Sequence, residues 1–200
     1  MMRLAIVAGS QRPKSQTRRV CDYLAERAHG LLGAESQMVD LAQLTFPVVG
    51  QPETPESAKE DWAQASRVLS DANAIVVATP EWGGMATPAV KNLFQLAIEG
   101  EVAHKPALLV AVSVSHGGAY PIAELRMSSY KNTRICYIPE QVIVRKVRDK
   151  LQGQEPSSDD DRHLRDRIDY GLRMLDAYAS ALTSVRAAGL MDHERFTFGM

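Results

Sequence analysis

Cysteine is scarce: the chain of 200 residues holds two, Cys21 and Cys136. Neither stands in a CxxC pair or in metal-ligand spacing, so both read as small apolar residues and no metal is expected. No apolar run approaches the roughly 20 residues of a membrane-spanning helix. The short run Leu4 to Ala8 near the amino terminus lacks the length and cleavage site of a signal peptide, and a cytoplasmic protein is expected. Neither sign of charge dominates, since 23 basic and 24 acidic residues leave a net charge of −1. That balance argues against nucleic acid or an anionic membrane as partner. Three motifs are missing as well: the GxxxxGKS/T phosphate loop, the GxGxxG dinucleotide fingerprint and the GxSxG nucleophile elbow. His29, His104, His116, His163 and His193 are scattered without ligand spacing, and no paired carboxylates mark an acid–base dyad, so no catalytic side chain is assigned.

What is present is an ordinary globular composition, 45% apolar and 24% charged. A chain of this length buries roughly 70% of its unfolded surface and needs no disulfide to be stable. Apolar runs alternate with helical patterns. Leu4 to Ala8, Ala74 to Ala78 and Ala107 to Val114 are continuous apolar runs, as strands buried on both faces should be. Ser36 to Leu41 reads as a further strand. Ile135 to Tyr137 with Val142 to Val144, interrupted by Pro139, reads as a weaker edge strand. Helical spacing recurs over Thr17 to Leu32, around Trp62, Ala65 and Leu69, from about Pro88, over Tyr120 to Ser129, and in a long run after Ser157. Thr45 to Ser57, with three prolines, is a loop. Strand and helix thus alternate about five times, the pattern of a parallel sheet with helices on both faces. Residues 1–188 form one expected domain, and 189–200 a tail.

In such a sheet ligands bind beyond the carboxyl ends of the strands. Three loops leave those ends. In the first, Gly9 to Thr17, the hydroxyls of Ser10, Ser15 and Thr17, the charges of Arg12 and Lys14, and a following helix amino terminus suit a phosphate. A plain polar turn capped by Ser15 is the alternative. The second loop runs from Pro80 through Glu81, Trp82, Gly83 and Gly84 to Ala86. The third holds Ser115, His116, Gly117 and Gly118. Their glycines let backbone approach a flat ligand.

With these loops the chain resembles the NAD(P)H-dependent FMN reductases of the flavodoxin-like superfamily. Their GSxRxxSxN pattern is met by Gly9, Ser10, Arg12 and Ser15, with Thr17 in place of asparagine. Their pattern, roughly PEYNGxxPxxLKN, is met by Pro80, Glu81, Gly84, Lys91 and Asn92 and, one place later, by Pro88, with Trp82 for tyrosine and Gly83 for asparagine. The resemblance spans residues 3 to 145. It implies a three-layer sandwich whose five parallel strands run in the order 2-1-3-4-5. It also implies FMN bound by Ser10, Arg12, Ser15, Gln16, Thr17, Pro80, Glu81, Trp82, Gly83, Gly84, Ser115, His116, Gly117 and Gly118. The backbone N–H groups of Trp82, Gly83 and Gly84 would polarise the flavin ring. NADPH or NADH would be the reductant, and a quinone, flavin, azo compound or metal ion the acceptor. An FMN-holding electron carrier without turnover and a non-flavin phosphate-binding module are the rival readings. The crowding of Ala89, Val90, Leu93, Phe94, Leu96, Ala97 and Ile98 on one helix predicts a homodimer or homotetramer.

Overall fold

The computed structural model describes residues 1–192 and 194–199; His193 and the last residue of the expected tail lie outside them. Five strands form one parallel sheet: β1 (Arg3–Ala8), β2 (Glu35–Asp40), β3 (Ala74–Pro80), β4 (Pro106–Val112) and β5 (Cys136–Val144). Their order is β2-β1-β3-β4-β5, as expected, and the order reverses between β1 and β3. β3 and β4 are buried at every residue because helices cover both faces of the sheet's middle.

Alternate residues of each strand feed two cores. Leu4, Ile6, Val76, Leu108 and Val110 pack under α1 (Gln16–Leu32) and α6 (Asp159–Ala187). Ala5, Val7, Ile75, Val77 and Leu109 pack under α2 (Glu56–Asp71), α3 (Pro88–Leu96) and α4 (Ala119–Met127). A four-residue helix, α5 (Tyr130–Thr133), follows α4. Helix starts follow local chemistry. Ser15, Thr87 and Ser158 each cap a helix by accepting an amide of its first turn. Pro88 occupies the first turn of α3, where its missing N–H costs nothing.

β5 departs from the expected interruption. It is one strand with a register shift against β4 between Ala107 and Leu109, where Tyr137 to Gln141 spans more residues than its partner. Pro139 falls in that bulge at the sheet edge, where no ladder donor is required. Arg126 of α4 donates to the carbonyls of Ile138 (2.7 Å) and Pro139 (3.1 Å), satisfying groups the bulge releases.

Part of the crowding on α3 is covered within the chain, while Ile98 just beyond it is 47% exposed. Val90, Leu93, Phe94 and Ala97 are all buried, and Asn92 Nδ2 donates 2.8 Å to the carbonyl of Pro47 in the proline-rich loop. Open apolar surface also lies on α4, where Tyr120 is 72% and Met127 78% exposed.

Candidate functional site

The three loops leave the carboxyl ends of β1, β3 and β4 and touch one another. Thr87 Oγ1 at the start of α3 donates 2.6 Å to the Gly9 carbonyl. Arg12 of the first loop lies over the Trp82 ring of the second. Glu81 of the second loop accepts the Gly118 amide of the third through a very short hydrogen bond. The residues predicted for the site are therefore brought together at the reversal of strand order, where a doubly wound sheet binds its ligands.

In the first loop, Gly9 is required by close approach. A Cβ there would stand 2.6 Å from the Ala78 carbonyl oxygen and 2.4 Å from Val90 Cγ2. Ser15 is the amino-terminal cap of α1, its Oγ accepting the Arg18 amide at 3.1 Å. The hydroxyl hydrogen stays available to donate, so the capping and ligand-binding readings are compatible. Gln16 and Thr17 form the first turn, whose amides have no helical partner. Ser10 and Thr17 are each 2% exposed and can offer a ligand little beyond their amides. Arg18 is drawn away to Asp22 (2.9 Å) and Asp40 (2.6 Å). No carboxylate occurs between Gly9 and Thr17. An anion placed here meets no carboxylate and lies at a helix amino terminus, which suits a phosphate.

The second loop is a tight two-residue turn. Trp82 and Met85 exchange both backbone hydrogen bonds, 3.0 and 3.1 Å, around Gly83 (φ 57°) and Gly84 (φ 76°). Two successive positive φ values are the geometry that selects glycine pairs. The Trp82 amide is thus spent on Met85, which corrects the expectation that it faces the flavin. The Gly83 and Gly84 amides are the ones left for it. Pro80 ends β3, buried beside Val112.

The third loop is held from outside. Gly117 lies so close to Glu81 that a Cβ would fall 2.8 Å from the carboxylate. Gly118, at φ 109°, would drive a Cβ to 2.3 Å from Ile143. Arg145 Nε donates 3.1 Å to the Gly117 carbonyl, and the Lys146 amide donates 3.0 Å to that of Ser115. Ser115 Oγ and His116 Nδ1 lie 3.3 Å apart, both residues exposed.

Sequence reasoning missed Glu124 and Arg145. Glu124 of α4 accepts the Ala86 amide (2.7 Å) and the Lys91 ammonium (3.0 Å), tying the end of the second loop and α3 to α4. The motif match at Lys91 and Asn92 was the available signal: Lys91 pairs with Glu124, Asn92 holds the proline-rich loop, and both border the cavity beside Gln11. Glu81 likewise directs its carboxylate at the third loop. Among the described residues no group of three or more His, Cys, Asp or Glu could hold a metal. No helix among them is long and apolar enough to cross a membrane. Burial pushes the Cys21 thiol well up, so it stays protonated and inert.

A cavity of about 820 Å³ lies away from these loops, between α1, α6 and residues 151–156. Another, about 690 Å³, takes in Gln11 of the first loop, Leu41, Phe46 and the start of α3.

The family of NADPH-dependent FMN reductases matches residues 2–149. A curated relative, the NADPH azoreductase of Bacillus sp. (strain OY1-2), is 26% identical over 143 residues, 72% of this chain and 76% of that protein. Two solved structures share the fold. An oxidoreductase from Corynebacterium diphtheriae has a TM-score of 0.70 and 16% identity, covering 90% of this chain and 98% of its own. The flavoenzyme NAD(P)H:(acceptor) oxidoreductase FerB of Paracoccus denitrificans has a TM-score of 0.67 and 16% identity, covering 92% and 98%. The chain belongs to the NADPH-dependent FMN reductase family and is a flavodoxin-like oxidoreductase that uses FMN and a reduced nicotinamide.

Proposed function

We propose that this protein passes electrons from NADPH or NADH, through FMN held on its three loops, to a small organic acceptor such as a quinone or azo compound. The observation that carries the reading is the first loop, a carboxylate-free cradle at the amino terminus of α1, fastened to the two glycine loops that would border a flat ring. Arg12, Ser15 and the amides of Ser10, Gln16 and Thr17 would hold the FMN phosphate. The Gly83 and Gly84 amides would face the ring, and Ser115 to Gly118 would form its far wall. When bound, FMN supplies storage for two electrons between the two half-reactions. The overall balance is NADPH plus a proton plus quinone giving NADP⁺ and hydroquinone. No side chain need serve as acid or base, because position and backbone dipoles suffice for hydride chemistry at such a cofactor. The curated azoreductase relative supports an aromatic acceptor.

Self-association belongs to the same proposal, with α4 adding an exposed apolar face to the exposed Ile98 that follows α3. Tyr120, Ala123 and Met127 recur on one exposed helix face. Met85, 51% exposed, belongs to the second loop, which Glu124 ties to this helix. A second copy covering that face would add a wall to the flavin slot.

Steady-state kinetics of the FMN-reconstituted protein test the reading. Two substrates that take turns at one flavin face give parallel double-reciprocal lines. Intersecting lines rule out the shared face, and a chain that takes up no FMN rules out the site.

A further inference from the structure

One side chain joins the two ends of the flavin slot without lining it. Arg19 stands three residues beyond Gln16 in α1, and its guanidinium makes four hydrogen bonds, all to neutral oxygens. Nε donates 2.9 Å to Gln16 Oε1, Nη2 donates to the carbonyls of Val147 (2.6 Å) and Lys150 (3.0 Å), and Nη1 donates 2.8 Å to that of Leu151. Those three carbonyls belong to the turn after β5, a stretch that also carries the supports of the third loop. Arg145 and Lys146 bind the carbonyls of Gly117 and Ser115, and the Val147 amide donates 3.1 Å to that of Ser113. Hydrogen bonds therefore lead from Gln16, through Arg19 and residues 145–151, to the third loop.

The turn after β5 is held rather than relaxed. Lys146 (φ 49°) and Leu151 (φ 56°) take left-handed backbone, which a side chain disfavours and only firm surroundings maintain. Arg19 holds the Leu151 carbonyl, and Asp161 holds its amide at 2.9 Å. A planar guanidinium can span several carbonyls at fixed angles, which an ammonium cannot. Burial lowers the Arg19 pKa, with the Asp161 charge opposing the shift, so those bonds offset a desolvation cost. At the other end, Gln16 Oε1 is occupied by Arg19, and its Nε2 has no protein partner among the described residues. The family pattern asks for asparagine one place later, where this chain has the buried Thr17. A side-chain amide is thus missing at position 17 and present at position 16.

We infer that Arg19 is a positioning residue for the whole flavin. It makes the Gln16 side-chain amide a further donor for the FMN phosphate, and through residues 145–151 it sets the third loop against the ring. Phosphate cradle and ring wall are then one unit, although Arg19 touches neither end of the cofactor. This inference rests on the flavin reading of the site and deepens it.

The test titrates the cofactor-free protein with FMN and with riboflavin, which has the same ring and no phosphate. It also records the visible absorption of each FMN-loaded protein. The variants are Arg19→Met, Arg19→Lys, Gln16→Leu and Arg145→Met. Gln16→Leu touches the phosphate end alone, so FMN loosens about tenfold while riboflavin stays within about twofold. Arg145→Met touches the ring end alone, so both flavins loosen alike and the resolved shoulders of the flavin band broaden. Arg19→Met shows the two effects together: riboflavin loosens about tenfold, FMN loosens further, and the band broadens. Arg19→Lys keeps the charge but not the fork, shows part of each effect, and carries the test where the methionine variant does not fold. The band shape decides where riboflavin binding is too weak to titrate. Arg19 variants with wild-type riboflavin binding and an unchanged FMN band overturn the coupling. A Gln16→Leu protein that holds FMN as tightly as wild type overturns the phosphate half. Failure of the wild type to bind FMN is a separate result, because it removes the flavin reading itself.

Discussion

Glu81 shows how one side chain can shape a site without lining it. Its carboxylate reaches across from the end of β3 to the Gly118 amide, and Gly117 has no side chain that would block the approach. Removing it leaves a helix-terminal amide unpaired and lets the third loop drift from the second. Glu81→Ala is expected to destabilise the protein by about 1–3 kcal/mol and to weaken FMN binding by roughly tenfold. Glu81→Gln, which keeps an acceptor oxygen, is expected to retain most of both. Thermal melts and FMN fluorescence titration read the two effects, and an alanine variant indistinguishable from wild type in both would assign the third loop's position to other contacts. The motif made Glu81 visible in the sequence as a site residue. Its job was not visible, because its partner lies 37 residues away and is a backbone amide, which carries no residue-type signature. Glu124 was hidden for the same reason. The Trp82 amide was misjudged because the turn that consumes it depends on φ at Gly83 and Gly84, which composition permits but does not impose.

Among the secondary structure elements, legibility followed burial. β1, β3 and β4 are continuous apolar runs because they are covered on both faces, and they were read nearly to their ends. β5 was read as broken, since a bulge at Pro139 interrupts its alternation while its hydrogen bonding resumes beyond. The amino end of β4 holds a feature that patterning could not disclose. Lys105 is buried, and its ammonium donates to the carbonyls of Leu69 (2.7 Å) and Ser70 (2.6 Å) at the end of α2. Burial pushes its pKa down to about 8. The unfolded chain, with an ordinary lysine, holds this proton up to about pH 10.4. Between those values the unfolded state binds more protons, so stability rises with pH across that window and the cost of burying the charge is present below it. Relative to Lys105→Met, the wild type is expected to gain up to about 3 kcal/mol between pH 8 and pH 10.4. Denaturant melts at both ends of the window measure it. A difference that does not change with pH would show that the two helix carbonyls keep the ammonium as stable as water does.

At the scale of the whole molecule, the proposed assembly rests on the open face of α4. Tyr120→Glu with Met127→Glu places charges on that face without touching either core, and is expected to convert a dimer or tetramer of the 22.0 kDa chain into monomers. Sedimentation at micromolar concentration reads the outcome, and a wild type that is already monomeric sinks the assembly proposal. A separate consequence follows from the bonds that span the loops. The walls of the slot are fixed by Thr87, Glu81, Glu124 and Arg145 from within the chain, so a cofactor entering it has little polypeptide left to order. The amide-exchange map of the chain without cofactor should therefore already show protection at Ala86 and Gly118. Loading the cofactor should slow exchange chiefly at the first turn of α1 and at Gly83 and Gly84, with a heat-capacity change no larger than the buried apolar area requires.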